Sequence, residues 1–270
     1  MQGRVLVVAG SDSGGGAGIQ ADIKTVTVLG GYAATAVTAL TAQSTRGVFG
    51  VVPVDPGFVQ RQMEVVLDDI GADAIKTGML HDHFVISSVA SVLRRAALPA
   101  ALVVDPVMVA KGGQPLLEAD AETALTRELF PLAALVTPNA PEATALTGLA
   151  IHDAADLRRA GERILEMGPR AVYMKGGHLE GPEVVDVVVR AGGDPIVLRG
   201  PRIESRSTHG TGCTLASALA VSLAQGLDLE AAARRAREFV TRAIRAAPGL
   251  GTGHGPLGHG WPLRDTNAHS

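Results

Sequence analysis

The sequence predicts an α/β fold, a mostly parallel sheet with helices on both faces and an antiparallel hairpin at one edge. Three observations carry this. Short apolar runs alternate with amphipathic helical stretches along most of the chain, the pattern that builds a covered parallel sheet. A glycine-rich loop separates the first apolar run from the first helix, as in a βα unit with a ligand near its turn. The alternation breaks late in the chain, where two β-rich runs are joined by Ala191-Gly192-Gly193-Asp194, a hairpin signal.

The elements follow in order. Arg4 to Gly10 is a continuous apolar run and reads as a buried strand. The loop Ser11 to Gly18 leads into a helix from Ile19 to Leu29. Ala33 to Thr41 and Val48 to Val54 are β-rich and read as a small β flap beside the main body. Asp55 to Ile70 is amphipathic, with Pro56 near its start and Gly71 after its end. Strands at Ala74–Met79, Ala101–Pro106, Leu135–Asn139 and Ala171–Lys175 then alternate with helices. Those helices are Asp82–Ala97, Ala119–Phe130, Pro141–Leu146 and Asp153–Met167. The hairpin pairs Val184–Val189 with Ile196–Leu198, and helices Cys213–Gln225 and Leu229–Ala246 follow. Residues 1–247 read as a single domain, and 248–270 as a loose Gly- and His-rich tail.

Composition narrows the function. Hydrophobic residues make up 46% and charged residues 19% of the 270, a globular balance. A net charge of −3 without a basic tract argues against a nucleic-acid binder. No apolar run approaches the roughly 18 residues of a membrane span. A single cysteine excludes an internal disulfide framework and suits a reducing compartment, so a soluble cytoplasmic protein is expected. The glycine loop is no dinucleotide fingerprint, since the next strand lacks an acid for a ribose, and no P-loop motif occurs.

The chemistry gathers at strand ends. Lysine and arginine total 24, yet only Lys24, Lys76, Lys111 and Lys175 are lysines, which marks each as a candidate functional ammonium. Ligands of an open parallel sheet bind beyond the carboxyl ends of its strands. There lie Gly10-Ser11, Thr77-Gly78-Met79, Asp105-Pro106, Thr137-Pro138-Asn139 and Lys175-Gly176-Gly177. Gly210 and Gly212 let backbone N–H groups converge at a helix start, an anion cradle. Cys213 sits where that field would lower a thiol pKa. A plain tight turn around a small buried thiol is the alternative. Acid, amide, ammonium and cradle on one edge suit phosphoryl transfer better than hydride transfer.

Seven stretches carry a resemblance. They are VAGSDSGGGAGIQAD (8–22), ALTAQ (39–43), IKTGM (75–79), VDPVM (104–108), TPNAPE (137–142), VYMKGGH (172–178) and THGTGC (208–213). Together they resemble the hydroxymethylpyrimidine/phosphomethylpyrimidine kinases of thiamin biosynthesis, a branch of the ribokinase-like superfamily. The resemblance spans roughly Val5 to Ala247. It implies a Rossmann-type three-layer α/β/α sandwich, a homodimer, and MgATP as phosphoryl donor. It implies phosphorylation of 4-amino-5-hydroxymethyl-2-methylpyrimidine to the monophosphate and then the diphosphate. Cys213 would be the base, with Gly210, Thr211 and Gly212 donating to the transferring phosphoryl group and Lys175 neutralising ATP phosphates. Asn139 and Thr208 would help to hold the nucleotide, and Glu142 with Asp105 the Mg²⁺. Gln43 would pair with the aminopyrimidine, and Gly10, Asp22, Met79 and Val107 would complete the pocket. His209 is given no catalytic role. A pyridoxine/pyridoxal kinase on the same scaffold is the alternative. A non-catalytic pyrimidine sensor is a weaker one, because such a protein should lose the phosphoryl machinery.

Overall fold

The computed structural model describes residues 3–96, 101–108, 116 and 120–266. Lys111, Ala97 and Ala119, all named above, lie outside them.

The strands are β1 (Arg4–Asp12), β2 (Tyr32–Ser44), β3 (Gly47–Pro53), β4 (Ala74–Thr77), β5 (Ala101–Val104), β6 (Leu135–Val136), β7 (Ala171–Met174), β8 (Glu183–Arg190) and β9 (Ile196–Pro201). They form one sheet in the order β3-β2-β1-β4-β5-β6-β7-β8-β9. From β2 to β7 the pairing is parallel, and β8 and β9 close one edge antiparallel. Alternation within the strands makes two cores. Leu6, Val8, Ile75, Val104, Val136 and Val172 point into one, with the helices α2 (Pro56–Asp69), α3 (His83–Ala96) and α6 (Ala154–Leu165). Val5, Val7, Ala9, Val103, Leu135 and Tyr173 point into the other, with α1 (Gly18–Val28), α7 (Thr211–Ala224) and α8 (Leu229–Arg245). Burial on both faces is why these strands read as continuous apolar runs.

Three details refine the sequence reading. The flap is continuous with the main sheet: β2 pairs with β1 from Tyr32 to Thr41, with a register shift after Val37, and with β3 from Ala39 to Ser44. The helix expected to run to Phe130 is only α4 (Ala121–Ala124), followed by a π turn (Leu125–Leu129) and a 3₁₀ turn (Phe130–Leu132). Pro131 lacks the N–H that would continue an α ladder. Finally, α7 begins at Thr211, two residues before the expected start, so the whole cradle is part of its first turn.

The tail is a correction. Residues 254–261 of the tail are packed, not loose. The His254 N–H donates to the Thr45 carbonyl (2.8 Å) and the Gly255 N–H to that of Arg206 (3.1 Å). The His209 N–H donates to Gly255 (3.1 Å) and the Gly258 N–H to Ala243 (2.9 Å). Trp261, at the start of α9 (Trp261–Thr266), lies 5.8 Å from the Phe239 ring and beneath the Arg242 guanidinium. A strap held by backbone bonds and turns has no periodicity to betray it in sequence. Gly258 is required there, since a Cβ would come within 2.1 Å of the Ala246 carbonyl oxygen.

His259 anchors the strap. It is 4% exposed, and its Nε2 lies 2.9 Å from the Thr214 Oγ1 on α7. Burial, then the charge of Lys24, pushes its imidazole down from 6.5 to about 4. Between those values the unfolded chain binds a proton that the folded chain refuses. Stability is therefore lost as pH falls from 6.5 towards 4, by roughly 3 kcal/mol from this group. Urea unfolding across that window should show a steeper acid limb for the native chain than for His259→Asn.

Candidate active site

The first turn of α7 sets the geometry. Gly210 caps it at φ 81°, a conformation open to glycine, and a Cβ there would lie 1.9 Å from the Gly16 carbonyl oxygen. The first i→i−4 bond is donated by the Thr214 N–H to Gly210 (2.9 Å), which leaves the Gly212 and Cys213 N–H groups in the unpaired part of the turn. The Thr211 hydroxyl donates to the Thr208 carbonyl (2.7 Å) and braces the loop.

Lys175 follows β7 and is the cation of the site. Its Nζ lies 2.9 Å from Asp105 Oδ1 and 3.6 Å from Glu142 Oε2. Burial works against its charge, and the two carboxylates more than offset it, so its pKa stands above the ordinary value. The Thr137 hydroxyl donates to the same Asp105 oxygen (2.9 Å). A Cβ on Gly212 would lie 3.2 Å from Lys175 Nζ and 3.6 Å from Asp105 Oδ2, which brings ammonium and carboxylate against the cradle. Burial, with Asp105 adding to it, raises the Glu142 carboxyl.

Asn139 and Glu142 form a capping box at α5 (Ala140–Thr147). Asn139 Oδ1 accepts from the Glu142 N–H (2.9 Å), and Glu142 Oε2 accepts from the Asn139 N–H (2.7 Å). The N-x-x-E element is thus a helix start as well as an acidic wall beside Lys175.

Beneath the cradle lies a second ion pair. Lys76 on β4 and Asp22 on α1 are both fully buried, with Lys76 Nζ 3.0 and 3.1 Å from the two carboxylate oxygens. The Ser217 hydroxyl donates to Asp22 Oδ1 (2.6 Å). Asp22 was expected in the substrate pocket; it is instead a counter-ion inside the fold, because it is the partner that lets Lys76 be buried. The Cys213 expectation is corrected too. Burial lifts the thiol from 9.0 to about 11. Lys76 and a Gly18 N–H oppose the rise, and Asp22 and Asp105 add to it.

On the opposite wall, Gly10 lies where a Cβ would meet Met79 Sδ at 3.1 Å. Met79 is buried; Val107, Gln43 and Thr208 are half-buried. Asp12 ends β1 and holds the glycine loop. It accepts from the N–H groups of Gly14 (2.7 Å), Gly16 (3.0 Å) and Ala17 (2.8 Å), and lies 2.9 Å from His209 Nε2. Asp12, Lys76 and His209 stand in the quoted motifs but were given no site role. Lysine scarcity was the available signal for Lys76. Nothing in linear order pairs Asp12 with His209. No group of three or more His, Cys, Asp or Glu able to hold a metal occurs among the described residues.

Comparison with known proteins gives concordant results. The family model for phosphomethylpyrimidine kinase matches residues 12–258. A thiamine biosynthesis bifunctional protein of Geobacter sulfurreducens is 52% identical over 96% of the chain, which spans only 52% of that protein's length. A hydroxymethylpyrimidine/phosphomethylpyrimidine kinase of Streptomyces coelicolor is 49% identical, covering 96% of this chain and 95% of its own. Among solved structures, a Staphylococcus aureus pyridoxal kinase in complex with ADP superposes with TM-score 0.90 at 35% identity, over 98% of this chain and 96% of that one.

A thiol at about 11 is almost wholly protonated at neutral pH. Alkylation of Cys213 by iodoacetamide, followed by mass spectrometry on the ligand-free protein, should accelerate about tenfold per pH unit from pH ~8 to ~10. A rate that levels off near neutrality would contradict this assignment.

Proposed function

The chain belongs to the phosphomethylpyrimidine kinase family, and on that footing we propose that it uses MgATP to phosphorylate 4-amino-5-hydroxymethyl-2-methylpyrimidine, then phosphorylates the monophosphate, in thiamin biosynthesis. The observation that carries this reading is Lys175 held against the glycine start of α7, beside Cys213. An ammonium and unpaired N–H groups facing one point are what a transferring phosphoryl group requires.

In the proposed step the substrate hydroxymethyl oxygen attacks the γ-phosphorus. An O–P bond forms, the bond to the ADP oxygen breaks, and the hydroxyl proton passes to Cys213 as its thiolate, the minor form of a thiol near 11 in the ligand-free protein. Phosphoryl transfer runs through a loose transition state with charge on the equatorial oxygens, so positioning and charge outweigh the base. Asp105 and Glu142 fit Mg²⁺, an ion that takes one or two carboxylates and completes its shell with water and phosphate; when bound it would neutralise phosphate charge. Thr208 and Asn139 would line the nucleotide side, Gln43 would recognise the heterocycle, and Gly10, Met79 and Val107 would shape its pocket. Asp22 would act only through Lys76.

Pyridoxal phosphorylation is the second reading, favoured by the superposition on the pyridoxal kinase. Identity of 49–52% to the pyrimidine and thiamine proteins against 35% to that kinase weighs for the pyrimidine. Incubation with MgATP and each alcohol, with products resolved by mass, tests the choice. Pyrimidine mono- and diphosphate are expected, and faster turnover of pyridoxal would overturn the assignment. Cys213→Ala should lower kcat by about 10²-fold, the low end for a general base.

We also propose a cytoplasmic homodimer. The exposed apolar side chains Leu40, Phe49 and Val52 (53–69% exposed) lie on the β2–β3 edge and suit a second copy of this face. Among the described residues no helix is long and apolar enough to cross a membrane. Light scattering should give a dimer that the double change Phe49→Glu, Val52→Glu converts to monomer.

A further inference from the structure

The loop after β1 and the loop before α7 interlock around one side chain. The His209 ring lies over Gly16, where a Cβ would meet its Cδ2 at 2.5 Å and the Pro256 Cβ at 3.2 Å. The His209 side chain is only 12% exposed. Its Nε2 has two neighbours: Asp12 Oδ2 at 2.9 Å and the amide end of Gln43 at 3.2 Å. As placed, the Gln43 nitrogen faces His209 and its oxygen lies 3.1 Å from Thr41 Oγ1, which also lies 2.9 Å from the Ser11 carbonyl; the two ends of an amide are told apart only by their partners.

Donor and acceptor counting orients this chain. Burial pushes the Asp12 carboxyl up, but His209 and the loop amides outweigh it and hold Asp12 below the usual range, hence ionised. An ionised carboxylate at 2.9 Å must face a hydrogen, so His209 Nε2 carries its proton. A protonated nitrogen accepts nothing, so the part of Gln43 turned towards it is the oxygen. The Thr41 hydroxyl has one hydrogen, directed to the Ser11 carbonyl, so its oxygen accepts from the Gln43 nitrogen. The single Nε2 hydrogen points to Asp12 and is shared at longer range with the Gln43 oxygen, whereas the reverse placement would set N–H against N–H at 3.2 Å, so the amide has one favoured orientation. One lone pair on its oxygen and one N–H remain, in fixed order, for a ligand.

We propose that His209 is a specificity-determining positioning residue: anchored on Asp12, it fixes which way the Gln43 amide faces and so which heterocycle that amide accepts. This rests on the reading of Gln43 as the pyrimidine-recognising group. An aminopyrimidine offers a donor next to an acceptor, which an amide in one orientation matches and its flipped form does not. A freely flipping amide would lose that preference.

Steady-state kinetics with the aminopyrimidine alcohol and with pyridoxal test it. His209→Ala should raise KM for the aminopyrimidine about tenfold, the scale of one buried polar contact, with kcat little affected and the preference over pyridoxal narrowed. Asp12→Asn should move the ratio the same way. An equal fall in kcat for both alcohols would overturn the proposal by making His209 a cradle residue. Gln43→Leu separates the two readings. If it raises the aminopyrimidine KM while His209→Ala does not, only the present inference fails; if it leaves KM unchanged, both fail. Ring ¹⁵N NMR of the native protein needs no variant. An Nε2–H tautomer at His209 is expected, and an Nδ1–H tautomer overturns the assignment.

Discussion

Charges gathered in a half-buried space must be paired, and the pairing explains most of what surrounds the cradle. Lys175 is matched by Asp105 and Glu142, and Lys76 by Asp22. A buried ammonium without its carboxylate is costly, so each pair has to be assembled by the fold itself. Its members come from five elements, or the loops just beyond them, that meet at one sheet edge. The same neutrality shapes reactivity. Burial holds the Cys213 thiol protonated, and the carboxylates that make the lysines tolerable add to it, so the resting site keeps a neutral thiol beside a paired ammonium.

The sheet provides the convergence. Parallel strands present their carboxyl ends together, which puts Asp12, Asp105 and Lys175 along one rim. The cradle helix is buried almost all round from Thr214 to Ser222, which is why it is built of alanine, leucine and serine and carries no charged residue. A helix locked in this way fixes its own N-terminus, and with it the N–H groups aimed at the ligand. The strap of residues 254–261 fastens the same turn from outside, through His209 and Thr214.

Much of this was legible in the order of residues. Periodicity and punctuation located the strands, and the strand-end census located Asp105, Asn139 and Lys175 before any contact was known. What escaped depended on distance through space. Asp22 falls with the substrate pocket by resemblance, and only Lys76 opposite it reveals the counter-ion. Asn139 and Glu142 support both a capping box and a metal wall, and the structure shows the box. The thiol pKa depends first on burial and then on Asp22 and Asp105, none of which the order of residues shows. The tail was read as loose because backbone bonds leave no trace in side-chain pattern.

The bonds that complete the site join parts of the chain far apart in sequence. Asp12 and His209 are 197 residues apart, Asp22 and Ser217 are 195, and Gln43 and His209 are 166. Contacts at such separation close the largest loops and form late, after the local βα units have condensed. During synthesis the glycine loop emerges before the cradle, and the strap that braces the cradle emerges after both. A chain cut between the first strand and α7 would therefore separate the two halves of the site, so its assembly requires both.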